Sequence, residues 1–212
     1  MQKMKLLIAR PSPFARKVRI ALLEKGISFE TLVDLPWNPG AQAPSMNPLG
    51  KVPALVLDDG RTLYDSKVII EYLETLGRTP ALLPLEPGAR VAHRQIEALA
   101  DGVCDAVVLI VLEHARRPEL QSADWIGRQR AKVEAGFAET DRLLAGHRWF
   151  VEDRFGLADI AVGCMLAYTT LRLPAFEWRV RYPELAAFSR RIEARPSFAA
   201  TRPEPQPIQT VG

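Results

Sequence analysis

The stretch RPSPFARKVRIALLEKG, residues 10–26, joins a short apolar strand to an amphipathic helix. The apolar run at residues 5–9 predicts the strand, and apolar residues at helical spacing predict the helix over 13–25. Gly26 follows, and glycine ends helices well because it adopts the left-handed conformation without strain. Ser12 directly precedes the first residue of this helix. The stretch therefore predicts a strand–turn–helix unit with a hydroxyl at the turn.

Strands and helices continue to alternate beyond this unit. The elements expected next are a strand at residues 27–33, a loop with one short helix at 34–47, a strand at 54–57, a hairpin partner at 61–64 and a helix at 66–76. The hairpin turn is indicated by Asp58-Asp59-Gly60. The order β-α-β-α-β-β-α in fewer than 80 residues is that of a thioredoxin-like α/β domain.

The remainder of the chain has a different pattern. GRTPALLPLEPGA, residues 77–89, is rich in proline and predicts a linker. The apolar spacing after it is helical almost throughout, with helices expected at residues 90–116, 125–144, 158–172 and 184–194 and a stop at Pro196. We predict a thioredoxin-like domain over residues 1–78, a linker over 79–88 and an all-α domain over 89–212.

Composition excludes several classes of protein. The apolar fraction of 48% and the charged fraction of 25% are those of a globular protein. No apolar run approaches the roughly 20 residues that cross a bilayer, and the N-terminus has no secretory signal. The cytoplasm is the expected location, with no membrane partner.

Charge and metal-binding residue types narrow the function further. Residues 1–80 carry 11 Lys and Arg against 8 Asp and Glu, a small excess that fits a small anionic ligand better than a nucleic acid. Cys104 and Cys164 lie in apolar helical patterns, so we expect two buried, reduced thiols. Three scattered histidines and no CxxC predict no metal site.

Ser12 is the first candidate functional residue. The start of the first helix is the reactive position of a thioredoxin-like domain, since its free N–H groups and dipole stabilise an anion. Ser12 either donates a hydrogen bond to the thiolate of another molecule or serves only as an N-cap. Arg16, Lys17 and Arg19 follow it, and they either raise the positive potential of this site or form a solvated helix face.

NPLGKVPALV, residues 47–56, is the second motif. A proline can open a strand at an edge, where its missing N–H removes no ladder bond. A cis Val52–Pro53 bond would turn the Val52 N–H and C=O outward to hold an extended peptide, like an added strand. Trans is the commoner state of such bonds in general.

LYDSKVIIEYL, residues 63–73, is the third motif and places Asp65-Ser66 at a helix start. Ser66 offers a hydroxyl and a backbone N–H to a carboxylate, aided by the helix dipole. Asp65 can meet an ammonium group. The pair fits the zwitterionic end of an amino acid, and the alternative is an ordinary capping pair.

Together, Ser-Pro-Phe at residues 12–14, Lys51-Val52-Pro53 and Asp65-Ser66 resemble the glutathione-binding half of a cytosolic glutathione S-transferase. RWFVEDRFGLADIAVGCML, residues 148–166, resembles the start of that family's buried helix, with Gly156 as N-cap and Asp159 at N3. YPELAAFSRRIEARPSFAAT, residues 182–201, resembles its last regular helix and the segment after it. The resemblance covers essentially the whole chain and is closest to bacterial members with Ser-Pro-Phe rather than Cys-Pro-Phe.

The resemblance implies an enzyme, a glutathione transferase, with glutathione as co-substrate and no metal or other cofactor. Ser12 would be catalytic and hold the thiolate. The expected glutathione-binding residues are Phe14 as a wall, Lys51 at the glycyl carboxylate, Val52 and Pro53 at the cysteinyl backbone, and Asp65 and Ser66 at the γ-glutamyl end. Trp37 and Asn38 lie in a loop that often contacts glutathione in this family.

The resemblance also implies a homodimer that acts in detoxification on a small apolar electrophile bound between the domains. Val103, Ala106, Val107 and Ile110 are either lining or plain core. A glutathione-dependent isomerase, dehalogenase or peroxidase remains an alternative, as does a non-catalytic binding module on the same fold. Serine rather than cysteine at position 12 argues against thiol-transfer chemistry.

Overall fold

The computed structural model describes residues 4–207, and these form two compact units. Residues 4–82 and 196–207 make the first unit, and residues 83–195 make the second. The expected domains differ from these units at the C-terminal end, because residues 196–207 pack with the α/β part and not with the helical part. A proline-rich tail after a helix gives no sequence signal of which unit it joins.

The first unit is built on a four-stranded mixed sheet. Its strands are β1 (Met4–Ile8), β2 (Phe29–Val33), β3 (Ala54–Val56) and β4 (Thr62–Leu63), in the order β2-β1-β3-β4. The strands β1 and β2 are parallel, whereas β3 is antiparallel to both β1 and β4. Leu6 and Leu7 point to opposite faces of β1 and are both fully buried, so both faces of the sheet are covered.

The helices of the first unit are α1 (Pro13–Glu24), α2 (Ala43–Met46) and α3 (Ser66–Thr75). The helices α1 and α3 pack together, and Ala43 of α2 packs with Leu7 and Ala54. The end of α1 is as the sequence predicts. Gly26 has φ +60°, and the N–H groups of Gly26 and Ile27 donate to the carbonyls of Leu23 and Leu22, which closes the helix.

The second unit is all-helical. Its helices are α4 (Pro87–His114), α5 (Ala123–Leu144), α6 (Leu157–Arg172), α7 (Trp178–Arg181) and α8 (Pro183–Glu193), with one 3₁₀ turn at Pro118–Leu120. The helix α6 is apolar all round and lies at the centre, where α4 packs against both α5 and α6. Cys104 and Cys164 are buried and form no disulfide.

Several short helical elements were not predicted from the sequence. The helix α7, the 3₁₀ turn and the last helix α9 (Pro196–Ala199) were not expected. Each has four residues or fewer, too short to show a hydrophobic period. The long helix α4 begins at Pro87, inside the expected linker over 79–88, because Glu86 caps it by accepting from the N–H groups of Gly88 and Ala89. Pro196 opens α9 as well as following the end of α8.

Candidate functional site

The strand register brings the three sequence motifs to one edge of the sheet. Leu7 near the end of β1 pairs with Ala54 at the start of β3, and Leu55 pairs with Leu63 at the end of β4. The segments that follow β1, precede β3 and follow β4 therefore leave the sheet on the same side. We call these segments, residues 9–12, 47–53 and 64–66, the site edge.

The order of the strands also fixes the order of the motifs. Because β3 lies between β1 and β4, the loop with Val52 lies between the loop with Ser12 and the start of α3. Neighbouring strands are about 4.8 Å apart, so the site edge spans about 10 Å, the length of an extended tripeptide. Val33 at the end of β2 pairs with Ile8, so β2 also ends at this edge of the sheet. The loop after β2 carries the exposed Trp37 and its neighbour Asn38.

Ser12 is the N-cap of α1. Its Oγ accepts a hydrogen bond from the Ala15 N–H at 3.2 Å, and its own N–H donates to the Ala9 carbonyl at 3.0 Å. A hydroxyl has two acceptor lone pairs and one proton, and capping uses only a lone pair. Within residues 4–207 the proton is donated to no protein group. The cap and the donor role are therefore compatible in one side chain.

The loop before β3 is organised by Asn47, a residue that sequence reasoning missed. Asn47 is buried, its Nδ2 donates to the Lys51 carbonyl at 3.0 Å, and its Oδ1 accepts from the Leu49 N–H at 3.0 Å. The signal was present, since asparagine often bonds the backbone two residues on. Asn47 thus fixes the path of the chain up to Lys51 and Val52.

The Val52–Pro53 peptide bond is cis. The Val52 N–H and C=O are not among the backbone groups that hydrogen-bond within residues 4–207. Pro53 is buried, and the Lys51 side chain is exposed. Val52 thus keeps one donor and one acceptor available beside the start of β3.

The start of α3 carries Asp65 and Ser66. Asp65 is the N-cap, and its Oδ1 accepts from the Lys67 N–H at 3.0 Å. Ser66 occupies the first helical position and is buried, where its N–H is one of the groups without an intrahelical partner. The Ser66 hydroxyl has no protein partner within residues 4–207. Donors at a helix start favour a carboxylate.

The basic residues of α1 are not a solvated helix face. Arg16 and Lys17 are each only 1% exposed. The Arg16 guanidinium donates to the Phe198 carbonyl at 3.1 Å and to Thr201 Oγ1 at 3.4 Å, while Arg19 donates to the Ala200 carbonyl at 3.3 Å. The acceptors come from residues far along the chain, which is why the local pattern did not predict them.

In the second unit the four candidate lining residues of α4 are core. Val103, Ala106, Val107 and Ile110 are between 0% and 3% exposed. Val103 packs where α5 approaches closely, because a Cβ added to Gly136 would lie 2.2 Å from Val103 Cγ2. Val103 therefore lies at the contact between α4 and α5.

The start of α6 is held by two buried titratable groups. Asp159 accepts from the Gly156 N–H at 2.9 Å and the Phe150 N–H at 3.1 Å, and burial raises its pKa to about 7. His93 of α4 is buried, and its Nδ1 accepts from the Ala158 N–H at 3.1 Å. Burial and, to a lesser extent, Arg94 lower its pKa to about 4. Gly156 has no side chain to cap the helix, so His93 and Asp159 supply the acceptors.

Residues 4–207 contain neither a metal-binding cluster nor a helix suited to crossing a membrane. No three His, Cys, Asp or Glu side chains come together as a metal-binding group there. Across the same span, none of the helices combines the length and the apolar character that crossing a bilayer requires.

Comparison with known families decides which proteins share this arrangement. The model of the glutathione S-transferase N-terminal domain matches residues 11–76, and that of the C-terminal domain matches residues 123–191. This chain belongs to the cytosolic glutathione S-transferase family. The predicted family and its fold, a thioredoxin-like domain followed by an all-α domain, are confirmed, and the protein is a glutathione transferase.

Individual relatives agree with this assignment. The transferase is 46% identical to a glutathione S-transferase of Methylobacterium radiotolerans, solved in complex with glutathione sulfonate, with a TM-score of 0.96 and 100% of both chains covered. It is 41% identical to a GST-like protein of Escherichia coli, over 94% of this chain and 98% of that one. It is 36% identical to a maleylacetoacetate isomerase of Pseudomonas aeruginosa, over 96% of this chain and 98% of that one.

Proposed function

We propose that this transferase activates the glutathione thiol through Ser12 for attack on a small apolar electrophile. A cysteine thiol titrates near pH 8.5, and lowering its pKa by about two units requires about 2.7 kcal/mol. One hydrogen bond to a charged group contributes about 1.5–3 kcal/mol. The dipole at a helix start contributes about 0.3–1 kcal/mol. A hydrogen bond from the Ser12 hydroxyl, together with the dipole of α1, is therefore strong enough to lower the pKa of the thiol by about two units.

The rest of glutathione is assigned along the site edge in the order of the strands. The cysteinyl backbone pairs with Val52 next to Pro53, and the γ-glutamyl end binds Asp65 and Ser66 at the start of α3. Lys51, an exposed cation, reaches the glycyl carboxylate. Phe14, half-buried in the first turn of α1, forms a wall beside the thiol. The complex of the Methylobacterium radiotolerans relative with glutathione sulfonate supports a glutathione site of this kind.

The proposal rests on one observation. The Ser12 hydroxyl caps α1 with an oxygen lone pair, so its proton remains available to glutathione. The decisive experiment follows the ultraviolet thiolate absorbance of bound glutathione against pH in the wild type and in Ser12→Ala. We expect the wild type to form the thiolate well below the pKa of free glutathione. We expect Ser12→Ala to lose most of that shift while still binding glutathione. An unshifted pKa in the wild type would leave Ser12 as a cap only.

A glutathione-dependent isomerase is the second candidate, because a maleylacetoacetate isomerase covers 96% of this chain at 36% identity. The glutathione site serves both reactions, so only substrates distinguish them. Parallel assays of glutathione conjugation to an aryl halide and of cis–trans isomerisation of an unsaturated diacid separate the two. Glutathione turnover favours conjugation, and isomerisation without glutathione consumption favours the alternative.

We also propose a homodimer in the cytoplasm with a role in detoxification, on the strength of family membership. Glutathione alone serves as co-substrate, with no metal or other cofactor. The buried thiols Cys104 and Cys164 suit a reducing compartment. Sedimentation of the purified chain tests the dimer, and full activity after dialysis against a chelator tests the absence of a metal requirement.

A further inference from the structure

The C-terminal segment of the first unit runs along α1 in the reverse direction. Ser197 contacts Glu24 near the end of α1, Ala200 contacts Arg19, and Thr201 contacts Arg16. From Ser197 beside Glu24 to Thr201 beside Arg16, the tail therefore runs from the end of α1 towards its start. The next contacts of the tail lie beyond that start, at the site edge.

The tail ends its described course at the loop that carries Ser12. The Glu204 carboxylate pairs with the Arg10 guanidinium at 2.7 Å, and Gln206 Oε1 accepts from the Arg10 backbone N–H at 3.0 Å. Gln206 Nε2 also donates to the Asp34 carbonyl at 3.4 Å. Arg10 follows β1 and Asp34 follows β2, so one side-chain amide bridges the ends of two neighbouring strands.

The bridge bears directly on the turn before Ser12. The Ser12 N–H donates to the Ala9 carbonyl, which closes a turn over residues 9–12. Arg10 lies inside this turn, and its outward N–H is the group that Gln206 accepts from. Asp34 is itself fixed, because its N–H donates to the Ile8 carbonyl at 2.8 Å and its carboxylate accepts from the Ala43 N–H at 2.8 Å. The Gln206 amide therefore ties the turn to a rigid part of the sheet.

We propose that Gln206 is a positioning residue, which holds the 9–12 turn so that the Ser12 hydroxyl stays directed at the thiolate of glutathione. Glu204 supports Gln206 by pairing with the Arg10 side chain, and Arg16 binds the tail segment on which Glu204 and Gln206 lie. The inference rests on the proposed role of Ser12. A donor that is held in place before the reaction stabilises the developing charge without reorganisation.

The test is a double-mutant cycle between Ser12→Ala and Gln206→Ala in the full chain. The measurements are the pKa of bound glutathione from thiolate absorbance and kcat/KM in the conjugation assay. Gln206→Ala alone should lower kcat/KM about threefold to tenfold, the equivalent of one net hydrogen bond, and raise the bound thiol pKa by about half a unit to one unit. In the Ser12→Ala background, Gln206→Ala should change neither quantity, because no hydroxyl remains to be positioned.

Arg202→Ala is the matched control, since Arg202 is an exposed tail residue that makes no hydrogen bond or ion pair within residues 4–207. It should leave both quantities at wild-type values. Equal losses from Gln206→Ala in both backgrounds would indicate a merely structural role and overturn the proposal, as would a wild-type pKa in Gln206→Ala while Ser12→Ala is impaired. If Ser12→Ala itself leaves the bound thiol pKa unchanged, the proposed function fails and the positioning role fails with it.

Discussion

The Arg16 guanidinium lies over the Phe198 ring, 5.2 Å from its centroid, and donates to the Phe198 carbonyl at 3.1 Å. The two residues are 182 positions apart, yet this contact docks the C-terminal segment on α1. Charged side chains are rarely this buried unless they are paired. Arg16 is therefore a structural cation of the first unit, close to the proposed glutathione site without being assigned to it.

Replacing Arg16 with methionine should destabilise the protein, because Phe198 and Thr201 lose a charged donor. Hydrogen bonds to charged groups contribute about 1.5–3 kcal/mol each. Because the bond to Thr201 is long at 3.4 Å, we expect a combined loss of about 2–4 kcal/mol in the free energy of unfolding. Arg19→Met is the control, since the half-exposed Arg19 donates to the Ala200 carbonyl at 3.3 Å and its loss should cost less than about 1 kcal/mol. Urea denaturation compares the two, and equal losses would contradict the role of Arg16.

Ser12→Asp should separate the cap from the proton donor. Aspartate caps helices as well as serine does, so the free energy of unfolding should stay near that of the wild type. A carboxylate has no proton to donate and repels the thiolate, so the pKa of bound glutathione should rise above its value in Ser12→Ala. Ser12→Ala should lose about 1 kcal/mol of stability through the cap. An active Ser12→Asp enzyme would exclude the donor role.

Asn47→Ala should weaken glutathione binding more than it slows the chemical step. The substitution leaves the Lys51 carbonyl and the Leu49 N–H without their partner, at a cost of about 1–3 kcal/mol in stability. The freed loop carries Lys51 and Val52, which are proposed to bind the peptide and not the sulfur. KM for glutathione should therefore rise several-fold while kcat changes little. A fall in kcat alone would place Asn47 in a different role.

Gly136→Ala should destabilise the second unit despite the higher helix propensity of alanine. The added Cβ would lie 2.2 Å from Val103 Cγ2, so α4 and α5 must move apart or Val103 must change rotamer. Overpacking of this kind costs about 1–3 kcal/mol. Val103→Ala in the same chain removes the clash, so the double variant should be more stable than the sum of the two single losses predicts. Additive losses would show that the helices do not meet at this pair.

His93→Gln should remove a pH-dependent loss of stability. The folded His93 has its pKa lowered to about 4, against an ordinary value of 6.5, so the unfolded chain binds the extra proton between these values. The wild type should therefore lose stability relative to His93→Gln as the pH falls from 6.5 to 4, by at most about 1.4 kcal/mol per pH unit. Asp159 is common to both proteins, so its opposite dependence cancels in the comparison. Urea midpoints across this range provide the measurement, and parallel curves would contradict the effect.

Local chemistry accounts for what sequence reasoning predicted. Ser12 and Gly26 mark the ends of α1 through their own backbone and side-chain bonds, and Asp65 does the same for α3. Such signals depend on neighbours within four residues, so they can be read from the chain alone. The same holds for the long helices, whose apolar period repeats over several turns.

Long-range partners account for most of what it missed. His93 bonds Ala158, 65 positions away, and no local pattern shows that contact. Asn47 is the exception, since it bonds its own loop and carried a local signal. The buried Arg16, which bonds Phe198 and Thr201, and the course of residues 202–207 likewise depend on segments brought together only by folding.

The sequence by itself determined the family, the thioredoxin-like order of the first domain, the helical second domain and the candidate residues from Ser12 to Ser66. Only the tertiary structure decided that the strand register lines these residues up along one edge, that Arg16 and Arg19 of α1 hold the tail, and that Gln206 reaches the turn before Ser12. The physical reason is the distance along the chain between the groups that interact. Caps and periods arise from interactions within a turn or a strand, whereas the anchor of the tail arises from groups nearly 200 positions apart, Arg10 and Gln206 being separated by 196.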